Sequence, residues 1–203
     1  NIVGSNALIR RESQLTYQYK ILPNTLTNIY AGKVAQMFGG VNHISTDATA
    51  CTSSMKALMD AQTLIEFYGY DRIIILSIED QVSNLTLEFF GEANASLTWK
   101  VESSGVKPSA FDEVNYGFHV GQGAALAVLE SGKIITDKPH AAVLGTFTSA
   151  ETHNNPLGQD PEGKGFKAAI EAALDIAKID TKDISVTQWA SVDFWRPVCL
   201  SMT

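Results

Sequence analysis

The stretch Thr49-Ala50-Cys51-Thr52-Ser53-Ser54 marks the point at which the sequence changes from one backbone pattern to another. Residues 43–49 form a β-rich run, which predicts a strand. After the stretch, residues of one helical face recur with helical spacing at Met55, Leu58, Ala61, Gln62 and Ile65. The pattern predicts a strand, a sharp turn and a helix over residues 44–66, with Cys51 at the turn.

The predicted position of Cys51 favours a reactive thiolate. The first amides of a helix have no partner within the helix, and the aligned peptide dipoles place partial positive charge there. A strained turn from strand to helix also lifts the side chain clear of the backbone, as in serine hydrolases. The flanking residues Ala50, Thr52, Ser53 and Ser54 are small and leave space for an acyl group. A free cysteine is more often a small buried hydrophobe, and the spacing leaves that alternative open.

The composition is that of an ordinary globular protein. Its 203 residues are enough for one domain with a sizeable core or for two small ones. The net charge is −7 and lysine and arginine do not cluster, which argues against a nucleic-acid partner. No run approaches the roughly 18 to 20 apolar residues that span a bilayer, so we expect no membrane association. Only two cysteines occur, which fits a reducing compartment and predicts a cytoplasmic protein.

Apolar patterning predicts further elements on both sides of this stretch. Helices are expected at 25–38, ended by Gly39-Gly40, and at 166–178. Strands are expected at 72–78, 124–130 and 140–145, with another beginning at Asp183. The run 72–78 is continuous and β-branched, which favours a parallel strand covered on both faces and completes a strand–helix–strand unit. Residues 80–110 show no regular pattern and are expected to be irregular.

Three groups of residues resemble one known family. Ala50-Cys51-Thr52-Ser53-Ser54, followed by Lys56-Ala57-Leu58, resembles the nucleophile motif of the β-ketoacyl-acyl carrier protein synthases, the condensing enzymes of the thiolase fold. The segments 108–112 and 117–124 resemble the family's Pro-Phe-Asp and Asp-Gly-Phe-x-x-Gly-Glu-Gly-Ala. A Leu-x-Asn-x-x-Ala-Gly helix of the family is matched by Leu26, Asn28, Ala31 and Gly32.

The resemblance implies an α/β, thiolase-like fold with a mixed or parallel β-sheet and flanking helices. It covers about residues 20 to 186, so we expect about one half of the full fold in a single domain, 1–203, with an atypical tail at 187–203. The chain departs from the family at Gln122, which replaces an acid, and at Ala190, which stands where a histidine is expected. The family's later lysine, second histidine and glycine-rich oxyanion loop have no match. We therefore expect an incomplete synthase.

The activity implied by the resemblance is a Claisen condensation in fatty acid or polyketide synthesis. Cys51 would hold an acyl group as a thioester, and a decarboxylated malonyl thioester would attack it. The resemblance places Phe90 in the wall of the acyl pocket and His153 near its mouth, although Phe90 also suits a core and His153 an ordinary loop. It implies no metal and no cofactor, substrates carried on the phosphopantetheine of acyl carrier protein, and a homodimer formed through the strand 43–49.

Two other functions stay open at this point. A catalytically inactive fragment or partner subunit would keep the fold in order to pair with another chain, although such relatives usually replace the nucleophile. A cysteine hydrolase would need a general base close to Cys51. Four histidines are available, His43, His119, His140 and His153, and none has the sequence context of such a base.

Overall fold

The computed structural model describes residues 26–93, 96, 120–135, 137–150, 160–188 and 199–201. Within them lie four helices: α1 (Asn28–Phe38), α2 (Ser53–Tyr68), α3 (Asn84–Glu92) and α4 (Lys164–Ala177). Four strands are also described: β1 (Arg72–Asp80), β2 (Gln122–Glu130), β3 (Val186–Gln188) and β4 (Cys199–Ser201). No helix in these ranges is long and apolar enough to cross a bilayer.

Helix α1 ends where the glycine pair predicts. Gly39 has a φ of 73°, the left-handed conformation that closes a helix and that glycine adopts without a steric penalty. The expected start at residue 25 is wrong, because Leu26 and Thr27 are not helical and Thr27 makes no capping bond through its side chain.

The turn and the helix around Cys51 form as expected, but the preceding strand does not. Residues 43–49 pair with no strand among the described residues. Contacts at both ends nevertheless hold this segment along α2: the rings of His43 and Tyr70 meet edge to face at 6.0 Å, and Lys56 Nζ lies 3.8 Å from Asp47 Oδ1. The segment thus runs antiparallel to α2 without the backbone ladder that defines a strand.

The sheet formed by β1 and β2 is antiparallel, which corrects the expectation of a parallel β1. Arg72 lies opposite Glu130, and Asp80 lies opposite Gln122, so all nine residues of each strand are in register. Nε of Arg72 donates to Oε1 of Glu130 across 2.7 Å at one end of the ladder. A continuous apolar run does not reveal strand direction, because both kinds of ladder use the same side-chain alternation.

Only one face of this sheet is covered by the described residues. Helix α2 packs on the face that contains Ile75, which is buried together with Ala61 of the helix. The opposite face carries an exposed apolar surface made of Ile78 on β1 and of Leu126 and Val128 on β2, all more than half exposed. Within the described residues β1 is therefore covered on one face, whereas the sequence pattern predicts cover on both.

The predicted strand at 140–145 is not a strand, but the chain over residues 145–149 packs as an extended segment would. Thr146 and Thr148 contact α2, at Gln62 and Met59 respectively. Gly145 and Ser149 instead contact α4: a Cβ at Gly145 would stand 2.7 Å from the carbonyl oxygen of Ala173, and Ser149 donates to the carbonyl of Gly165. Alternating contacts of this kind are the signature of extended backbone between two layers.

Helix α3 lies within residues 80–110, for which the sequence pattern predicts irregular structure, so the expectation is wrong there. Ser83 caps the helix, accepting a hydrogen bond from the backbone N–H of Thr86 at 3.3 Å. A serine before a short run containing Leu85, Glu88 and Phe89 is a local start signal that patterning over longer windows overlooks.

The C-terminal part of the chain follows the predicted order of helix and strand. Helix α4 spans Lys164–Ala177 and buries Leu174, close to the expected range of 166–178. A single 3₁₀ turn, Thr181–Asp183, precedes β3, so the strand begins at Val186, three residues later than expected. Strand β3 pairs antiparallel with β4, Val186 opposite Ser201.

Candidate functional site: the cysteine corner

Cys51 lies in a tight corner between the extended segment and α2. A 3₁₀ turn, Ala50–Thr52, leads directly into the helix at Ser53. Ala50 has a φ of 49°, a left-handed conformation that costs a residue with a Cβ about 1–3 kcal/mol. Such strain is retained only where the surrounding contacts enforce it. The backbone immediately before Cys51 is therefore held in one unusual conformation.

The side chain of Cys51 is exposed. This position removes the alternative that Cys51 is a small buried hydrophobe. A free thiol at the surface is open to electrophiles.

A network of hydroxyl groups enforces the corner. The Ser53 hydroxyl accepts a hydrogen bond from the backbone N–H of Thr49 at 2.9 Å and donates one to the carbonyl oxygen of Ala50 at 2.6 Å. The Thr52 hydroxyl donates to the carbonyl oxygen of Thr49 at 2.7 Å, and the Thr52 N–H bonds the same oxygen at 3.2 Å. The two residues that follow Cys51 thus bind the backbone that leads to it.

The sequence pattern predicts only small size for these hydroxyl residues. The signal for their second role is their position, because serine and threonine at a helix start commonly satisfy backbone groups that the helix leaves unpaired. Sequence alone does not tell which backbone groups they reach. The bonds to Thr49 and Ala50 depend on the direction from which the chain enters the helix.

Charged side chains tie the entering segment to the first turns of α2. Lys56 forms an ion pair with Asp60, one turn further along α2, and a longer one with Asp47 on the segment before the corner. Two carboxylates thus face the lysine, and the Asp47 side chain is only 19% exposed. Lys56 therefore links the segment before Cys51 to α2. Its positive charge is paired and is not available to Cys51.

The histidines within the described residues do not meet Cys51. His43 contacts Tyr70, beyond the far end of the 16-residue α2, which at 1.5 Å per residue is about 24 Å long. His140 precedes the segment that passes Gln62 and then Met59, so it lies toward that same far end of the helix. A hydrolase that uses His43 or His140 as its base is incompatible with this arrangement. His119 and His153 lie outside the described residues.

The position of Phe90 relative to Cys51 stays a prediction. Phe90 lies near the end of α3, is half-buried, and accepts a hydrogen bond from the Ser96 N–H at its carbonyl oxygen. Within the described residues α3 does not pack broadly against α2. Of the predicted site, the described contacts therefore concern only the corner around Cys51.

Solved structures identify the fold of this chain. A β-ketoacyl synthase from Burkholderia phymatum superposes with a TM-score of 0.75 at 22% identity, covering 93% of this chain and 45% of that one. A type II polyketide ketosynthase, in complex with its acyl-carrier protein, gives 0.73 at 20% identity over 84% of this chain and 42% of its own. The fold is thus the thiolase-like α/β fold of the ketosynthases.

Sequence comparison then gives the family. The profile of the β-ketoacyl synthase N-terminal domain matches residues 4–133. The mitochondrial 3-oxoacyl-[acyl-carrier-protein] synthase of Arabidopsis thaliana is 31% identical over 160 residues, which is 75% of this chain and 34% of the relative. The chain belongs to the β-ketoacyl synthase family. The match begins at residue 4, which corrects the expected start near residue 20.

The chain spans only a part of its relatives. A 3-oxoacyl-[acyl-carrier-protein] synthase 2 of Staphylococcus aureus is 25% identical over 166 residues, 80% of this chain and 40% of that protein. The match to the Arabidopsis thaliana relative covers 34% of that protein. This chain therefore spans between one third and two fifths of the length of these curated relatives. This agrees with the expectation of a partial fold.

Proposed function

We propose that this chain carries the acyl-accepting half of a β-ketoacyl-acyl carrier protein synthase, with Cys51 as the nucleophile. The observation that supports the proposal most directly is the exposed thiol of Cys51 at a strained corner ahead of α2, in a member of this family. A thiolate exchanges readily with thioesters, and covalent capture divides one difficult step into two easier ones.

The first chemical step is a thioester exchange. The sulfur of Cys51 attacks the carbonyl carbon of an acyl thioester on phosphopantetheine, forming a new carbon–sulfur bond. The bond to the pantetheine sulfur then breaks, and the proton of the Cys51 thiol ends on the released pantetheine thiol. The backbone N–H of Cys51 and one further donor stabilise the negative oxygen of the tetrahedral intermediate.

The second step is the condensation. A malonyl thioester loses carbon dioxide, its carbanion forms a carbon–carbon bond with the acyl carbonyl carbon, and the bond to the Cys51 sulfur breaks, which releases a β-ketoacyl thioester and leaves Cys51 as a thiolate. The family uses a histidine for the decarboxylation, and this sequence has Ala190 at that position. The proposal therefore assigns acylation to these 203 residues and the condensation to a complete synthase.

The substrate and partner assignments are part of the same proposal. Acyl carrier protein delivers the acyl group on its phosphopantetheine, in keeping with the related ketosynthase solved in complex with its acyl-carrier protein. Phe90 is assigned to the wall of the acyl pocket and His153 to its mouth. The reaction takes place in the cytoplasm and needs no metal and no further cofactor.

Intact-mass spectrometry tests the acylation step. Incubation with an octanoyl-pantetheine thioester, or with the inhibitor cerulenin, is expected to add one group per chain. The adduct should be absent from Cys51→Ser and retained in Cys199→Ser, which controls for the second cysteine. A wild-type chain without an adduct would contradict the proposal and favour the alternative of a catalytically inactive fragment or partner subunit.

We also propose a homodimer in which residues 43–49 of two copies meet. Among the described residues no strand pairs with this segment, and only Thr49 at its end is bonded by the corner, so the backbone groups of residues 43–48 can pair with a second copy. Sedimentation velocity should give a dimer for the wild type. Thr46→Pro should shift the distribution toward monomer, because proline removes a backbone donor and is poorly tolerated in paired strands. A monomeric wild type would contradict this proposal.

A further inference from the structure

Ser53 bonds to backbone on both sides of the strained residue before Cys51. Its hydroxyl oxygen is 2.9 Å from the backbone nitrogen of Thr49 and 2.6 Å from the carbonyl oxygen of Ala50. It acts as acceptor in the first bond and as donor in the second, so its single proton and one lone pair are both used. The hydroxyl therefore spans the two residues through which the chain turns toward Cys51.

The backbone at Ala50 determines the direction in which Cys51 leaves the corner. Ala50 adopts a φ of 49°, which a residue with a Cβ avoids unless neighbouring contacts hold it. Relaxation of this residue to an ordinary conformation would rotate the peptide that joins it to Cys51. The thiol would stay exposed but would point elsewhere.

Ser53 is the side chain best placed to prevent that relaxation. Thr52 also bonds the corner, but its hydroxyl reaches the carbonyl of Thr49, which the Thr52 N–H already bonds. The Ala50 carbonyl is bonded by the hydroxyl and the N–H of Ser53, and the Thr49 N–H is bonded by the same hydroxyl. Removing the Thr52 hydroxyl would thus leave its acceptor bonded, whereas removing the Ser53 hydroxyl would release the Thr49 N–H.

We propose that Ser53 is a positioning residue for the nucleophile, acting through the backbone of Thr49 and Ala50 to aim the Cys51 sulfur at the thioester carbonyl. This inference rests on the proposed function of Cys51 as acyl acceptor. Ser53 neither touches the acyl group nor takes a proton. It fixes the direction from which the sulfur forms its bond to the carbonyl carbon as the pantetheine sulfur departs.

Two reagents separate positioning from simple accessibility. Acylation by an octanoyl-pantetheine thioester requires a defined approach of the sulfur to the carbonyl, whereas alkylation by the small reagent iodoacetamide tolerates many directions. In Ser53→Ala the rate constant for acylation should fall about tenfold or more, because small displacements of a nucleophile have large kinetic effects. The rate constant for alkylation of Cys51 should change less than about twofold, since the thiol stays exposed.

Two further variants complete the experiment. Ser53→Thr keeps the hydroxyl and should recover most of the acylation rate. Thr63→Ala is the matched control: it removes a hydroxyl that donates to a backbone carbonyl of the same helix, that of Met59 at 3.0 Å, well away from the corner. Both rate constants should be unchanged in it. Circular dichroism of each variant shows whether its fold is retained.

The outcomes distinguish this inference from the proposed function. If the wild type is not acylated, the proposed function fails and the positioning role fails with it. If the wild type is acylated and Ser53→Ala is acylated equally fast, the positioning role alone is overturned. Equal losses in acylation and alkylation, or no recovery in Ser53→Thr, would also overturn it, because the substitution would then have disturbed the corner in general.

Discussion

The hydroxyl of Thr146 donates a hydrogen bond to Oε1 of Gln62 across 2.7 Å. Gln62 is only 9% exposed, and its amide nitrogen donates to Glu66 at 2.8 Å. A buried amide in the middle of α2 is thus satisfied at both ends, once by its own helix and once by a segment 84 residues away. The bond fixes the register of the segment that separates α2 from α4.

Thr146→Val should destabilise the protein by about 1–3 kcal/mol, because the buried Oε1 of Gln62 loses its donor while the side-chain volume is kept. Urea unfolding measures the loss. The double variant Thr146→Val with Gln62→Leu should recover part of it, since removing both polar partners avoids an unsatisfied group. If the losses of the single variants Thr146→Val and Gln62→Leu simply add in the double variant, the hydrogen bond does not couple the two residues.

Gly145→Ala should destabilise the protein by about 1–3 kcal/mol through overpacking. The new Cβ would lie 2.7 Å from the Ala173 oxygen and 2.8 Å from the Ala177 nitrogen, and neither backbone atom can move without shifting α4. Gly32→Ala in α1 is the opposite control, because nothing lies within 4 Å of its Cβ. It should stabilise the chain by about 0.5–1 kcal/mol. Thermal unfolding reports both, and a neutral Gly145→Ala would refute the close approach.

Ala50→Gly should stabilise the folded chain or leave its stability unchanged, within about 1 kcal/mol. Glycine adopts a φ of 49° without steric cost, which offsets the entropy it adds to the unfolded state. Ala57→Gly, in the interior of α2, should lose about 1 kcal/mol because no strain is relieved there. Comparable losses in the two variants, measured by denaturant unfolding, would argue against strain at Ala50.

Asp180 should make stability depend on pH. The backbone N–H of Lys182 donates to its carboxylate at 3.1 Å and lowers the pKa of Asp180 below its ordinary value. A lowered folded-state pKa stabilises the fold above the unfolded-state pKa, and this contribution disappears as the pH falls through the folded-state pKa. Asp180→Asn should therefore be less stable than the wild type at pH 7, and the difference should shrink below pH 4.

Unfolding curves collected between pH 7 and pH 2 test this expectation. Glu92→Gln, which neutralises an exposed carboxylate at the end of α3, corrects for the general effect of net charge. A difference between Asp180→Asn and the wild type that stays constant across the range would contradict the electrostatic explanation. It would attribute the effect to the capping geometry of Asp180 and Asp183 alone.

Much of the local structure can be predicted from the sequence. Helix α2 follows from the spacing of Met55, Leu58 and Ala61, and its end from Gly69, which has a φ of 73°. The end of α1 follows likewise from Gly39. These features depend on contacts within one or two turns of chain, so neighbouring residues determine them. Helix α3 shows the limit, since a cap at Ser83 outweighs weak apolar periodicity.

The sequence by itself determined the family motif at Cys51, the turn that presents it and the helix behind it. Only the tertiary structure decided that β1 runs antiparallel to β2, that residues 43–49 and 140–145 pair with no described strand, and that Ser53 bonds Thr49 and Ala50. The physical reason is the range of the interactions. Helices and turns are built from near neighbours, whereas strand direction and pairing depend on which distant segments come to lie side by side.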